Sequence, residues 1–113
     1  MGELIRLPRR HELKTWPKHF SAVYDGAKAF EFRYNDRDFC VGDTLILREW
    51  EPRHDYKRTF GGTYTGRAVE AAVTYILREY EELPEFVADN YVVMSIELMA
   101  RKASEDASWE MSR

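Results

Sequence analysis

The sequence predicts a small α+β domain, in which a highly curved mixed β-sheet or barrel of five to six strands carries one N-terminal helix packed over an opening. The hydrophobic period changes once, from helical spacing before Gly26 to strand alternation after it. Several strand-like runs follow, with few segments that could serve as crossover helices, which excludes a doubly wound parallel sheet. A closed or curled sheet removes exposed edges and gives the apolar stripe of the helix a place to pack.

The first elements are a short strand and the helix. Residues 11–15 can form a strand, and Pro17 suits the first helical position, where its missing N–H would be unpaired in any case. We expect the helix over residues 17–25, ended by Gly26 in a left-handed conformation. Its apolar stripe consists of residues at helical spacing and predicts core packing for Trp16, Phe20, Val23, Tyr24 and Ala27.

The second strand, expected over residues 29–35, carries aromatic and charged side chains on opposite faces. Burying Lys28, Glu31 and Arg33 would cost desolvation, so this row should line solvent or a polar cleft. We therefore place the candidate site at this strand. The aromatic residues that alternate with the charges are Phe30, Phe32 and Tyr34.

The centre of the chain is predicted to hold turns, a buried strand and a long loop. Residues 35–38 and 41–43 are typical of turns, and the aliphatic run over 44–50 predicts a strand buried on much of both faces. Residues 51–66 have no regular period and predict a loop. Residues 67–77 predict a fourth strand, with a helix as the main alternative; its apolar face would hold Val69, Ala71, Val73, Tyr75 and Leu77.

The last part of the chain is predicted to form one more strand between polar segments. Residues 79–90 are acidic and predict a loop, 91–98 predict a strand, and 101–113 predict a polar tail or helix. Pro8 is followed by Arg9 and Arg10, and we expect a flexible arm with solvated arginines in preference to an arm that binds nucleic acid. The predicted division is an arm over residues 1–10, a domain over 11–99 and a polar tail over 100–113.

The net charge of −3 is unevenly distributed along the chain. Residues 1–78 hold 14 Lys and Arg against 11 Asp and Glu, whereas residues 79–113 hold 3 against 9. A strong duplex-binding protein carries a much larger basic excess. The composition therefore allows binding of a single strand or a small ligand and argues against tight, non-specific binding of duplexes.

Composition also predicts a folded cytoplasmic domain with no membrane association. Apolar residues make up 44%, and no apolar run approaches the roughly 20 residues of a membrane helix. The N-terminal residues lack the apolar core of a signal peptide, and the single Cys40 fits a reducing compartment as a small buried hydrophobe. His11, His19 and His54 have no metal-ligand spacing, so we expect neither a metal nor a cofactor.

Several motifs together resemble a known family. They are HELKTW at residues 11–16, Gly26-x-Lys28-x-x-Glu31-x-Arg33 followed by NDR at 35–37, Phe39-x-Val41-Gly42-Asp43, LREW at 47–50 and YVVMSI at 91–96. With them the chain resembles an ASCH domain of the PUA-like superfamily, and most of all the small uncharacterised bacterial and phage proteins of that branch. The resemblance implies a PUA-type barrel with a helix over one opening and a cleft that binds RNA or a nucleotide-like ligand.

The chain departs from one group within this family. ASCH members that deacetylate N4-acetylcytidine carry a threonine three residues after the lysine, where this chain has Glu31 after Lys28. They also carry a glutamate on a later strand, which here would be Glu70 or Glu49. The resemblance thus leaves an amidohydrolase as an alternative, with Lys28 as base or activator and Glu31 or Glu70 as the catalytic carboxylate.

The charged row itself is suited to hold a nucleotide. Glu31 and Arg33 are two residues apart on a strand and point the same way. The Arg33 fork suits a phosphate or a carbonyl edge, and Lys28 can reach a phosphate as a point charge. Glu31 can accept a hydrogen bond from an exocyclic amine or a ribose hydroxyl. The alternative interpretation is a solvated row of salt bridges.

We therefore expect a domain that binds single-stranded RNA or a nucleotide-like molecule and is not an enzyme. Trp50 is the predicted platform for stacking a base, whereas packing is favoured for Trp16. Besides the amidohydrolase, a phage or bacterial accessory module that binds a protein partner is an alternative, since fold alone does not fix function. The predicted polar wall consists of Lys14, Lys28, Glu31, Arg33 and Arg37.

Overall fold

The structure, a computed structural model, describes residues 6–53, 61–77 and 90–112. Its elements are β1 (Arg10–Thr15), α1 (Pro17–Tyr24), β2 (Phe30–Tyr34), β3 (Thr44–Pro52), β4 (Gly62–Leu77), β5 (Tyr91–Lys102) and β6 (Glu110–Met111). The strands form one sheet in the order β1-β3-β4-β5-β2, with β6 paired to β5, and the sheet curls into a half-barrel. β1 and β3 are parallel, and the other pairs are antiparallel. The predicted small mixed α+β class is confirmed.

Helix α1 begins where its sequence predicts. Pro17 occupies the first turn, directly after the N-cap residue Trp16. The helix ends at a left-handed Gly26 with φ +84°, whose N–H donates to the Val23 carbonyl at 3.0 Å. Phe20 and Val23 are buried, so the helix closes the concave side of the sheet over β3 and β4.

The interior of the half-barrel is apolar in the middle and polar towards its ends. Alternate residues of β1 point inwards, and in the parallel register Leu13 lies beside Leu47 and Thr15 beside Glu49. Thr15 and Glu49 are buried polar residues at the end where α1 begins. The apolar core consists of Leu13, Phe20, Val23, Phe39, Leu45, Leu47, Val69, Ala71, Val73, Val92, Met94 and Ile96.

Strand β4 is a strand and not a helix, but the prediction of one continuous apolar face is wrong. Its register against β5 shifts between Glu70 and Ala71 and again between Val73 and Tyr75. The first leaves Val69, Ala71 and Val73 all buried, whereas the second places an extra residue in β4 and so reverses which side chains face the core. Tyr75 is therefore exposed, whereas Ile76 packs against the core.

The region predicted as a loop over residues 51–66 is in part a hairpin. β3 continues to Pro52 and β4 begins at Gly62, with Trp50 opposite Tyr64. A Cβ at Gly62 would lie 2.5 Å from Cζ2 of Trp50, so the glycine is required for this close approach. Residues 54–60 lie outside the described residues, as does the loop predicted over 79–90, apart from Asn90.

The structure describes part of both chain ends, residues 6–10 and 100–112. After residue 100, β5 continues to Lys102, and the chain turns back as β6 in place of a polar tail or helix. At the other end, Arg6 is not solvated but reaches a buried carboxylate. Cys40 is only half-buried, because its neighbour Val41 lies in an exposed turn. The division into arm, domain and tail stays a prediction.

The carboxylate that Arg6 reaches belongs to Asp43, which is fully buried. Its oxygens accept hydrogen bonds from the Arg6 guanidinium at 2.8 Å and from the backbone N–H groups of Arg9 at 2.9 Å and Cys40 at 3.0 Å. His11 Nε2 lies 2.8 Å from Oδ2. Burial alone would raise the pKa of Asp43, but these hydrogen bonds, that of Arg6 foremost, hold its pKa well below the ordinary value. We call these five residues the Asp43 cluster.

Strands β1 and β2 lie at the two edges of the sheet, and arginine side chains bridge the gap between them. Arg33 Nη1 donates to the carbonyl of Lys14 at 3.1 Å, and Arg37 Nη1 donates to the carbonyl of Glu12 at 2.8 Å. The half-barrel is thus joined across this gap by side chains, where a closed barrel would have a backbone ladder. We call this gap the seam.

Candidate functional site

A cleft with a volume of about 570 Å³ opens at the seam, beside the N-terminal end of α1. Its size falls within the range of small-molecule sites, roughly 300–1,000 Å³. Both edge strands and the start of the helix contribute to it. The residues that line it are Lys14, Thr15, Trp16, His19, Lys28, Phe30, Glu31, Phe32 and Arg33.

Glu31 lies at the centre of this cleft and is only 2% exposed. Its Oε2 accepts a hydrogen bond from Arg33 Nε at 2.8 Å, and its Oε1 lies 3.5 Å from Lys28 Nζ. The three predicted charges therefore converge on one cavity. Since its carboxylate is already engaged by two cations, Glu31 orients them and is poorly placed to accept a hydrogen bond from a ligand.

Arg33 holds the two edges of the sheet together at the cleft. Besides Glu31 and the Lys14 carbonyl, it donates through Nη2 to Thr15 Oγ1 at 2.9 Å. Three of its five N–H groups are thereby engaged within the protein, and two are left for a ligand. The guanidinium is fixed in one plane by these bonds, which pre-organises it.

The cleft carries a net positive charge. Among the described residues that line it, Lys14, Lys28 and Arg33 are positively charged and Glu31 is the one carboxylate. Lys28 also lies over the Phe30 ring, with 5.2 Å between its Nζ and the ring centroid. The Lys28 ammonium therefore contacts both a carboxylate and an aromatic ring, and these two contacts orient it in the cleft. The arrangement is suited to hold an anion.

Trp16 is exposed in the cleft wall, so the prediction that it packs in the core is wrong. Its side chain is 56% exposed, whereas Phe20 one turn later is buried. Trp16 is the N-cap residue, with extended backbone angles of φ −65° and ψ 151°, so it does not share the side-chain direction of the helical stripe. Pro17, which marks the first helical position, is the sequence signal that could have shown this.

His19 is a second cleft residue that the sequence reasoning did not assign to the site. It lies in the first turn of α1 and is exposed. The spacing Trp16-x-x-His19 puts both side chains near the start of the helix, where they face the charged row of β2. The position of His19 in the first turn, two residues after Pro17, is the sequence signal for its place beside Trp16.

A second cavity, of about 490 Å³, continues along the seam on the other side of Arg33. Arg37, predicted as part of the same polar wall, lies here and not in the first cleft. Lys14 and Arg33 contribute to both cavities. The lining of the second cavity consists of Glu12, Leu13, Lys14, Arg33, Tyr34, Asp36, Arg37, Phe39 and Tyr64.

Three other predicted site residues line neither cavity. Trp50 is half-buried, with Lys14 Nζ 4.8 Å from its ring centroid, so it packs and offers no open stacking face there. Glu70 lies 3.8 Å from an Arg10 nitrogen and so is not brought to Lys28. Glu49 is buried and accepts a hydrogen bond from Thr65 Oγ1 at 2.7 Å. The structure therefore places no later-strand glutamate beside Lys28 among the residues it describes.

In residues 6–53, 61–77 and 90–112, no group of three or more His, Cys, Asp or Glu side chains is arranged to hold a metal ion. Within the same ranges no helix has the length and apolar character needed to cross a membrane.

Comparison with known proteins adds a family and a phage relative. The model of a family described as a domain of unknown function, DUF3850, matches residues 10–96. The chain is also 40% identical over 77 residues to an uncharacterized 12.9 kDa protein in the GpA 3′ region of Escherichia phage P2. That match covers 68% of this chain and 62% of the phage protein, so the chain spans less than two thirds of its relative. All residues of the first cleft lie within the matched region, and the chain belongs to the DUF3850 family.

Proposed function

We propose that the cleft at the seam binds a nucleotide, either free or as a unit of single-stranded RNA. The observation that carries this proposal is the convergence of Lys28 and Arg33 on buried Glu31, in a cleft that Lys14 and the exposed ring of Trp16 also line. Cations beside an open aromatic face provide the two contacts that a nucleotide requires, one for its phosphate and one for its base.

The phosphate would lie against Lys28 and the free N–H groups of Arg33. Both side chains are held by Glu31, so their charges are positioned before a ligand arrives. Pre-organised donors lose little side-chain entropy on binding. Their partial burial, with 17% and 23% of the side chains exposed for Lys28 and Arg33, strengthens their interaction with an anion relative to fully solvated charges.

The base would stack on Trp16, which replaces Trp50 as the proposed platform. Stacking on an aromatic side chain is tolerant of base identity because every base has a π-face. Phe30 and Phe32 line the same cavity and extend its apolar surface.

The motifs around Lys28 also lead us to propose that the half-barrel is an ASCH domain of the PUA-like kind that acts in the cytoplasm. The phage relative and the family of unknown function are compatible with that assignment. An amidohydrolase is less well supported, because Glu70 lies elsewhere and Lys28 is engaged with Glu31. We expect no release of cytidine from N4-acetylcytidine, and turnover that Lys28→Ala abolishes would replace the binding proposal with the enzymatic one.

Calorimetric titration with the four ribonucleoside 5′-monophosphates and their nucleosides tests the proposal. We expect at least one nucleotide to bind, its nucleoside to bind more weakly, and Lys28→Gln to weaken nucleotide binding about tenfold, since a hydrogen bond to a charged group contributes roughly 1.5–3 kcal/mol. Trp16→Ala should weaken nucleotide and nucleoside by a similar factor. Lys102→Gln removes the same charge from β5, away from the cleft, and should bind as wild type does.

Three results would contradict the proposal. The first is the absence of binding by any of the four nucleotides. The second is equal affinity for nucleotide and nucleoside, which would leave Lys28 and Arg33 without a role. The third is an equal loss in Lys28→Gln and Lys102→Gln, which would indicate only a general charge effect.

A further inference from the structure

The two cavities on the seam form one groove that Lys14 and Arg33 divide. Both residues line the cleft of about 570 Å³ and the second cavity of about 490 Å³. Each cavity also has exposed aromatic side chains: Trp16, Phe30 and Phe32 on one side of the divide, and Tyr34 and Tyr64 on the other. Along the groove, an aromatic surface is thus followed by a cationic ridge, formed by Lys14 and Arg33, and then by a second aromatic surface.

We infer that this groove binds two consecutive nucleotides of a single strand, with the connecting phosphodiester on the ridge of Lys14 and Arg33. This inference rests on the proposed function and deepens it, because it assigns a polynucleotide, not a free nucleotide, as the ligand. A phosphodiester carries one negative charge between two bases, which is the order of charge and aromatic surface along the seam. Single-strand binding commonly combines a basic groove with successive stacking surfaces.

The second cavity has its own means of holding a nucleotide. Arg37 is fixed by its hydrogen bond to the Glu12 carbonyl, while its side chain is 43% exposed. Tyr34 is 50% exposed and meets the Tyr91 ring edge-to-face, with 5.4 Å between the ring centroids. Arg48 covers one side of Tyr64 at 3.7 Å from the ring centroid, which fixes the ring in place. Arg37 can therefore reach a second phosphate while Tyr34, the more exposed of the two rings, stacks the second base.

The groove follows the free edge of β1, and this geometry favours an extended ligand. Arg33 and Arg37 donate to alternate carbonyls of that strand, those of Lys14 and Glu12. Two residues along a strand span about 6.6 Å, comparable with the separation of successive phosphates in an extended nucleic-acid strand. The guanidinium groups are thus spaced to meet successive phosphates of a strand that runs parallel to β1.

The test compares a nucleoside 5′-monophosphate with the corresponding dinucleotide that carries a phosphate at both its 5′ and its 3′ end, so that a phosphate is present beside Arg37, using the base that binds best. Wild type should bind the dinucleotide about tenfold more tightly, since one added stacked base contributes roughly 1–3 kcal/mol. Arg37→Gln and Tyr34→Leu should lose most of this gain and keep the affinity for the mononucleotide. Retained mononucleotide binding also shows that both variants are folded.

A second comparison locates the connecting phosphate. Replacing the phosphodiester by an uncharged methylphosphonate should weaken binding of the dinucleotide to wild type several-fold. Lys14→Gln should bind the phosphodiester and the methylphosphonate with more nearly equal affinity, because the ammonium that attracts the phosphodiester charge has been removed. Lys102→Gln, the charge-matched control on β5, should discriminate between them as wild type does.

The outcomes separate this inference from the proposed function. If no ligand of either length binds, the proposed function fails. If the mononucleotide binds and the dinucleotide binds no more tightly, or if Arg37→Gln weakens both equally, the two-nucleotide groove is wrong and the first cleft alone is the site. Discrimination against the methylphosphonate that survives in Lys14→Gln would also overturn the assignment of the ridge.

Discussion

Glu31 and Asp43 are both buried carboxylates that pair with basic side chains, but they have different roles in the protein. Both carboxylate oxygens of Asp43 contact polar groups of the other residues in the Asp43 cluster, and the side chain is fully buried. Glu31 is nearly as buried, yet its two partners, Lys28 and Arg33, extend into an open cleft. At Asp43 the ion pair joins distant segments of the chain, whereas at Glu31 it holds two cations that line a cavity.

The difference is also visible in what each carboxylate connects. Asp43 joins the N-terminal residues Arg6 and Arg9 to the turn before β3, so several segments depend on one side chain. Glu31 orders two side chains from its own strand and from the residues just before it. Loss of Asp43 should therefore affect the fold, and loss of Glu31 mainly the site.

The largest expected effect is that of Asp43→Asn on stability. Removing one partner of a buried ionic network leaves the others unpaired and typically costs about 3–5 kcal/mol. The measurement is the free energy of unfolding from urea denaturation followed by circular dichroism. Asp38→Asn is the matched control, because Asp38 also pairs with Arg6, at 3.5 Å, but is exposed. A similar small loss in both variants would refute the structural role of the Asp43 cluster.

Acid should destabilise the protein through the same residue. Because the pKa of Asp43 is lowered in the folded state, the unfolded chain takes up a proton near its ordinary value of about 3.9 while the folded carboxylate is still ionised. The stabilisation is complete above about pH 5 and declines as pH falls towards the folded pKa. One such aspartate typically accounts for about 2 kcal/mol.

Urea denaturation of wild type and Asp43→Asn between pH 7 and pH 3 measures this contribution. The difference in unfolding free energy between the two proteins should narrow as the pH falls, because the variant lacks the titrating group. Parallel pH profiles would show that Asp43 does not carry the acid sensitivity.

The smallest expected effect on stability is that of Glu31→Gln. The amide keeps the shape and one acceptor for Arg33, and the freed cations have partial access to solvent, so we expect a loss of about 1 kcal/mol. Nucleotide binding should nevertheless weaken, since Lys28 and Arg33 lose their orientation. Glu97→Gln on β5 is an exposed control. A loss of stability as large as that of Asp43→Asn would remove the distinction between the two carboxylates.

Much of the fold followed from local chemistry. Pro17 and Gly26 marked the two ends of the helix. The alternation after Gly26 predicted β2 and the site at Lys28, Glu31 and Arg33. These features depend on residues close in sequence. The pairing of Glu31 with Arg33 could be predicted because a strand places residues two apart on the same side, whereas Lys28 reaches Glu31 from the segment before β2.

The remaining features depend on contacts between distant segments. The register shifts in β4 arise from its pairing with β5, so Tyr75 could not be assigned to the outer face from alternation alone. The burial and pairing of Asp43 could not be predicted from the residues of its turn, since its partners Arg6 and His11 are more than thirty residues away. The bridge from Arg33 to β1 likewise requires knowledge of which strands lie at the edges.

The two arginines of the seam also have a consequence for how this protein behaves in a crowded solution. A free strand edge is a template on which a foreign strand can add, and repeated addition leads to aggregation. Two carbonyls of the β1 edge, those of Glu12 and Lys14, already accept hydrogen bonds from arginine side chains whose charges would have to be displaced. The two arginines that line the proposed groove therefore also protect this strand edge from pairing with a foreign strand.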